Sequence, residues 1–570
     1  MKCNYDTSTM DNFPVLSPLT ETEIIKYYEP QIVDLFCHLN RGNGDYVEKS
    51  FMTLLSSSVS LQNTLITRIL YKMIGYVRDF RCGKGERDLA YRMIWVLYGY
   101  FPDLAVAMLH LCVRGIIPKK EHLYVTTIMD PLVEDYSEYP FGCWKDVKYF
   151  CELVYDRNDN EDHPLITISM TMLNQELYND YCKSSDAKIS LACKSSDAKI
   201  SLACKSSDAK ISLACKWVPR EGSRFTWLFE KMALQWVSKL YPRIAKYSTS
   251  AKCFMMYRKV LAALNRRANI AQVNMCEGAW SSIDPQLVSQ ETFIAGKNAF
   301  LNMNHQLGDR YLERADRRNC SHVFREHFIG HTHRDSTTCK STHNMVGSLV
   351  KWAKDLVRHK RQEHDPSILQ NILYQITLLN QQWTKLVLGL PAIGHVVPIL
   401  NHSTQDDIAM GYALLLATQS KCGKKLMVAD GSPTWINLEN CTDFVDSIET
   451  ILYKTNKGTW CDLEAAVAMI QYAYDNTTIK EPTTLFCLGM STTVVSDVFT
   501  MIYWNSILDD HRVDPLDPSI RYVSGNPFDI LRILAADPCC DSFDIMGQIL
   551  ENVRYKIVDT TFDAFMVESS

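Results

Sequence analysis

Several common functional signatures are missing from this chain. Its 570 residues contain no GxSxG elbow, no GxxxxGK[ST] loop and no HExxH pair. The short-range marks of serine hydrolases, P-loop nucleotide binders and zinc peptidases are therefore absent, and no catalytic constellation stands out. Neither sign of charge dominates. With a formal net charge of −5, a global basic field is excluded and any nucleic-acid signal has to be local. The most apolar stretch, Met93 to Val113, is broken by Pro102-Asp103 and predicts two packed helices, not a membrane span. The opening MKCNYDTSTMDN lacks the charged-then-apolar layout of a signal peptide. Among 20 cysteines there is no CxxC pair, which argues against zinc ribbons. Reduced, buried thiols of a cytoplasmic protein are the expectation.

The composition itself is globular, with 46% hydrophobic and 22% charged residues. At this length two or more domains are expected. From about residue 20 to 385, apolar residues recur at helical spacing, as in Leu369, Ile372, Leu373, Ile376 and Leu379, predicting a stack of antiparallel helix pairs. After about residue 386 short apolar runs at 392–400, 425–429 and 484–488 alternate with helical segments at 407–418, 443–453 and 462–474. That alternation predicts a parallel sheet covered on both faces. Residues 521–525 predict a late strand, with a helix from Pro527. The expected fold is α plus α/β: an N-terminal tail (1–20), a helical body (21–385) and a doubly wound α/β domain (386–570).

One segment is repeated. The eleven residues CKSSDAKISLA occur three times without change between Cys182 and Ala214. Eleven residues are close to three helical turns, so each copy could extend a helix with a phase error of only about 20°. The Ser-Ser-Asp of each copy is equally good capping chemistry, so a broken helix or loop competes. A metal array of Cys182, Cys193, Cys204 and Cys215 would need a fold that converges ligands eleven residues apart.

Four strings, Gly83-Lys-Gly-Glu-Arg87, Gly142-Cys-Trp-Lys-Asp146, Trp217-Val-Pro-Arg-Glu221 and Tyr257-Arg-Lys259, occur in that order ahead of the α/β grammar. In that order the chain resembles an uncharacterised family of plant and large-DNA-virus proteins, itself similar to the Ro autoantigen. The resemblance spans roughly residues 50 to 560; Glu277-Gly-Ala-Trp280 and Ile283-Asp284 also fit it. It implies a helical-repeat (HEAT-like), TROVE-type body joined to a von Willebrand A-like domain. It also implies a single copy of ISLA-x-K-W-x-P-x-E, supplied here by Ile211–Glu221, which makes 182–214 an in-frame duplication.

The resemblance further implies a Mg²⁺ loop, Asp-x-Ser-x-Ser, after the first α/β strand, completed by a Thr and an Asp from later loops. Here the corresponding positions are Asn401, Ser403, Gln405, Cys461 and Gly489. With two carboxylates and one hydroxyl replaced, loss of the ion is expected, since Mg²⁺ prefers oxygen ligands. The string Asp430-Gly-Ser-Pro-Thr434 is a competing ion loop, although it follows what should be the second strand. A Cys/His-rich stretch (Cys320, His322, His327, His331, His333, Cys339, His343) matches no standard zinc module and reads equally well as a solvated loop. No cofactor or metal is expected.

The local charge map is more informative. Between Lys216 and Asn269 twelve Lys/Arg face only two acids, Glu221 and Glu230, with Trp217, Phe225, Trp227, Trp236, Tyr241 and Tyr257 interleaved. Cations supply phosphate affinity, and aromatic rings can stack on single-stranded bases. The candidates are Lys216, Arg220, Arg224, Lys252, Arg258, Lys259, Arg266 and Arg267, with a second strip at Lys351, Lys354, Arg358 and Arg361. An amphipathic helical region with a solvated basic face is the competing account. The resemblance implies RNA binding by the helical body. The expected function is thus a non-enzymatic RNA-binding or ribonucleoprotein scaffold, with a protein-interaction scaffold as the alternative and no membrane partner.

Overall fold

The computed structural model describes residues 20–117, 122–129, 140–185, 211–304, 314–330, 343–402, 406–455, 460–477, 480–490, 492–504, 520–537 and 540–566. The structure is mostly helical, and every strand among the described residues lies beyond residue 394. In the first part, helices pack largely on their sequence neighbours: Gly44–Ser60 on Thr64–Arg78 and Arg87–Tyr100, and Lys145–Asn158 on Pro164–Ser185. The apolar stretch at 93–113 divides as its proline dictates. Arg87–Tyr100 ends before Pro102, which opens Pro102–Val113 at a position where its missing N–H costs nothing.

The sheet has six strands: β1 His395–Leu400, β2 Lys425–Val428, β3 Thr434–Asn437, β4 Thr483–Leu488, β5 Thr500–Trp504 and β6 Ile520–Val523. Their order is β3-β2-β1-β4-β5-β6. All neighbours are parallel except β2–β3, which pair antiparallel from Lys425–Asn437 to Val428–Thr434. The expected all-parallel sheet is thus mixed. The reason is chain length: only residues 429–433 separate β2 from β3, too few for a crossover, which needs about a dozen residues.

Side chains alternate strictly between two cores. Val396, Leu400, Phe486, Leu488, Ile502 and Trp504 join the large cluster under helices Asp407–Gln419 and Phe444–Lys454. Val397, Ile399, Leu485, Cys487, Met501 and Tyr503 face the opposite cluster with helix Leu463–Asp475. That period of two is what a strand buried on both faces requires. Val33 and Cys37, from the chain's first helix Glu21–Cys37, also belong to the second cluster. The larger cluster runs from Tyr28 to Phe565.

The quoted strings lie at the junctions of this core. Asp146 takes a bidentate ion pair from Arg78 (2.7–3.0 Å), a hydroxyl from Tyr91 (2.5 Å) and the backbone N–H of Cys143 (2.7 Å). A Cβ at Gly142 would collide with that carboxylate, so the position has to be glycine. Lys84 reaches across to the Ser524 hydroxyl at 2.5 Å. Asp79 is held by Arg554 (Nη2 to Oδ1 2.8 Å) and by the Tyr555 hydroxyl at 3.2 Å. Early helices and the last quarter of the chain are locked together by buried polar contacts.

Candidate functional sites

Two places gather the residues that the sequence singles out. The first is the crevice at the carboxyl ends of β1 and β4, where strand order reverses and open α/β sheets hold their ligands. The Asn401 N–H donates to Leu488 O (3.0 Å), and its side-chain Nδ2 donates to Gly489 O (2.8 Å). Asp430, which follows β2, is almost fully buried and accepts the backbone N–H of His402 at 2.7 Å. Asp430 also bridges Cys461 across a short antiparallel contact, with Gly431 N–H on Trp460 O at 2.8 Å. Asn401, Asp430, Cys461 and Gly489 therefore converge. Ser403 and Gln405 lie outside the described residues.

The crevice combines one buried carboxylate, Asp430, with sulfur from Cys461 and Met490. Burial, reinforced by Asp430 and Asp462, pushes the Cys461 thiol up to about 11, so it stays protonated. Its Sγ lies 3.5 Å from the Met490 sulfur. Burial, with help from Lys354, pushes His402 below its ordinary value. Among the described residues no group of three or more His, Cys, Asp or Glu is placed to hold a metal ion.

Of the Cys/His-rich stretch, Cys320 is buried with its Sγ on Phe300 O (3.9 Å), while His322 is exposed beside Glu326. The structure does not bring those two together. Residues 331–342 lie outside the described residues, as do Cys193 and Cys204 of the repeat. The last copy of the repeat is anchored. Ser212 gives its N–H (2.9 Å) and hydroxyl (2.6 Å) to Asp180, and Ala214 and Cys215 are buried.

The second place is basic. Trp217, half-buried, has three ammonium groups within 5.6 Å of its ring centroid: Lys145 (5.4 Å), Lys148 (5.6 Å) and Lys216 (5.3 Å). Tyr149 alongside carries Arg87 (4.9 Å), Lys145 (5.4 Å), Lys148 (5.4 Å) and Arg224 (5.5 Å). Arg220 is exposed nearby, close enough to act on Lys148. The Lys148 ammonium is pushed below its ordinary value, first by burial and then by repulsion from Lys145, Arg220, Arg224 and Arg87. Lys216 is lowered by burial as well.

The other candidates scatter. Lys252 and Lys259 are exposed on helix Ser250–Arg267, where Arg258 pairs with Glu221 and Arg266 with Glu277 at 3.2 Å. Arg267 is half-buried and acts on Asp180. Lys354 is taken by Asp407 at 2.7 Å, Arg358 stands near Asp355 (3.7 Å), Arg361 is on Glu449 (3.3 Å), and Lys351 is exposed. Helix His343–Gln362 thus spends Lys354 and Arg361 clamping itself to the helices beside the sheet. Three residues of the basic cluster, Arg87, Lys145 and Lys148, were not among the candidates. Arg87 and Lys145 nonetheless stand inside two of the quoted strings, which is the signal that could have found them.

A family model described as a domain of unknown function, DUF2828, matches residues 26–190. That span holds Arg87, Lys145 and Lys148 but not the chain from Lys216 to Arg224. Neither the curated proteins nor the solved structures include a match to this chain.

Proposed function

We propose that the protein is a non-enzymatic RNA-binding or ribonucleoprotein scaffold, in which a helical body (21–385) holds RNA and an α/β domain (386–570) docks a protein partner. The observation that carries this reading is a set of exposed or half-buried cations along 216–267 that make no ion pair among the described residues, Lys216, Arg220, Lys252 and Lys259 among them. Such cations give sequence-independent affinity for phosphates, and half-buried Trp217 offers a face for a base. The sequential packing of the helices supports a TROVE-type, HEAT-like body. The strand order and the meeting of Asn401 with Gly489 support a von Willebrand A-like domain whose ion ligands are replaced.

Crosslinking in cells that express the protein, with mapping of the modified peptides, tests this reading. RNA-linked peptides from 216–267 are the expected result. Recovery of no RNA above a mock control would overturn it. The alternative, a protein-interaction scaffold that binds no RNA, draws on Trp460 at the crevice and Tyr472 on helix Leu463–Asp475, which are 58% and 75% exposed.

A further inference from the structure

We infer that the cluster of Arg87, Lys145, Lys148, Lys216, Arg220 and Arg224 around Tyr149 and Trp217 is a binding site for a phosphate group. The inference deepens the RNA reading. It rests on that reading for the source of the phosphate, and on the local geometry for the site itself.

Four cations lie within 5.5 Å of the one Tyr149 ring. Like charges this close repel, and part of their water is replaced by ring faces, so the arrangement lacks its anion. The carboxylate present is Glu152, which pairs with Arg224 at 2.9 Å, with Asp88 and Asp156 beyond it. Lys145, Lys148, Lys216 and Arg220 have no ion pair among the described residues. The Arg87 Nη1 is buried and meets no acceptor among the described residues, an expensive state for a guanidinium unless an acceptor arrives.

The scaffold holds these groups in place. Lys145 and Lys148 are one turn apart on helix Lys145–Asn158, and Tyr149 follows on the same face. Tyr149 packs edge-on against Phe225 (5.4 Å, 86°), which fixes the chain of Trp217–Phe225 beside them. Three helices also begin here, at Arg87, Lys145 and Thr226. Their N-cap residues Glu86, Trp144 and Phe225 make no side-chain cap. Their partial positive ends add to the field of the side chains.

The fit is to a compact oxyanion with several acceptor oxygens, the chemistry of a phosphate ester. Arginine provides forked donors and lysine point charges. Separated strings of the sequence each bring part of the site. Gly83–Arg87 brings Arg87, Gly142–Asp146 brings Lys145, and Trp217–Glu221 brings Trp217 and Arg220.

The test uses the full chain and two probes, tripolyphosphate and a short single-stranded oligoribonucleotide, at low salt. Wild type is compared with Arg220→Glu, which changes an exposed side chain, with Lys145→Gln/Lys148→Gln, and with Lys26→Gln/Lys49→Gln, two exposed lysines away from every proposed site, as an outside control. Circular dichroism checks folding. The expected result is binding of both probes, weakened about tenfold or more by the two cluster variants and little by the control. Tripolyphosphate binding that depends on the cluster, without RNA binding, would keep the phosphate site and remove the RNA reading. RNA binding indifferent to both cluster variants would remove the site and keep the reading. Binding of neither probe would remove both.

Discussion

Replacing Lys84 with methionine should remove a pH dependence from the stability of the junction between the early helices and the sheet. Lys84 is 4% exposed, and its ammonium faces three neutral acceptors: Phe36 O and Asn40 Oδ1 at 3.3 Å, and the Ser524 hydroxyl at 2.5 Å. Lys84 forms no ion pair among the described residues. Nearby Glu86 is engaged with Arg41 at 3.2 Å. Burial pushes the Lys84 ammonium down from 10.5 to about 7, with Cys37 and Glu86 opposing.

The unfolded chain keeps this proton up to the ordinary lysine value, whereas the folded chain gives it up near neutrality. Between the two values the folded state binds fewer protons, so stability rises with pH and is lost as pH falls through about 7. The slope approaches about 1.4 kcal/mol per pH unit, and the gain from pH 7 to pH 9 is about 2 kcal/mol. Methionine has similar bulk and no proton to lose. It also leaves the three acceptors short of a donor, at a cost of roughly 1–3 kcal/mol that is felt most above neutrality. Denaturant midpoints for wild type and Lys84→Met, followed by tryptophan fluorescence between about pH 6 and 9, should therefore diverge as pH rises, with wild type gaining. Parallel profiles would refute the reasoning and mean that water or an anion reaches the ammonium.

The Asp529 carboxyl, raised by burial to about 6 against the pull of Arg532 and with a smaller push from Asp79, has the opposite sign. The stability it contributes is fully present below the ordinary carboxylate value and is lost as pH rises through about 6. Asp529→Asn should therefore melt higher than wild type at about pH 8 and no higher at about pH 4, in thermal scans at both values. At the crevice, millimolar Mg²⁺ should leave the melting temperature unchanged, because only a ligand of the native state raises it. A rise that vanishes in Asp430→Ala would show that Asp430 holds an ion after all. Deleting residues 182–203 leaves the sequence of helix Pro164–Ser185 intact, since Cys204–Ser207 repeats Cys182–Ser185. Soluble yield should be kept and stability should shift by no more than about 2 kcal/mol, the loop-closure scale; aggregation would mean that the copies are structural.

Periodicity alone was enough to place several of the elements, though not β3 or β5. The change from helical spacing to short apolar runs near residue 386 marks where strands begin. The runs at 392–400, 425–429 and 484–488 became β1, β2 and β4, because a strand buried on both faces has to be apolar throughout. Pro102 divided two helices for a reason local to its ring. Asn401, Cys461 and Gly489 were singled out only through the resemblance; Asn401 and Gly489 meet because they end neighbouring parallel strands at the crevice.

What depended on tertiary structure is the pairing of groups far apart in the chain. Periodicity reports only which face of its own element a residue occupies, not what the facing element brings. Lys354 looked like a free cation until Asp407 took it, and Arg258 until Glu221 did. Lys145, Lys148 and Tyr149 share one helix, but only packing brings Arg87, from another helix, to the same ring. Lys84, in the string Gly83–Arg87, is buried against Ser524, 440 residues away. Charge acts through distance in space, and those distances are set by how elements far apart in the chain pack against one another.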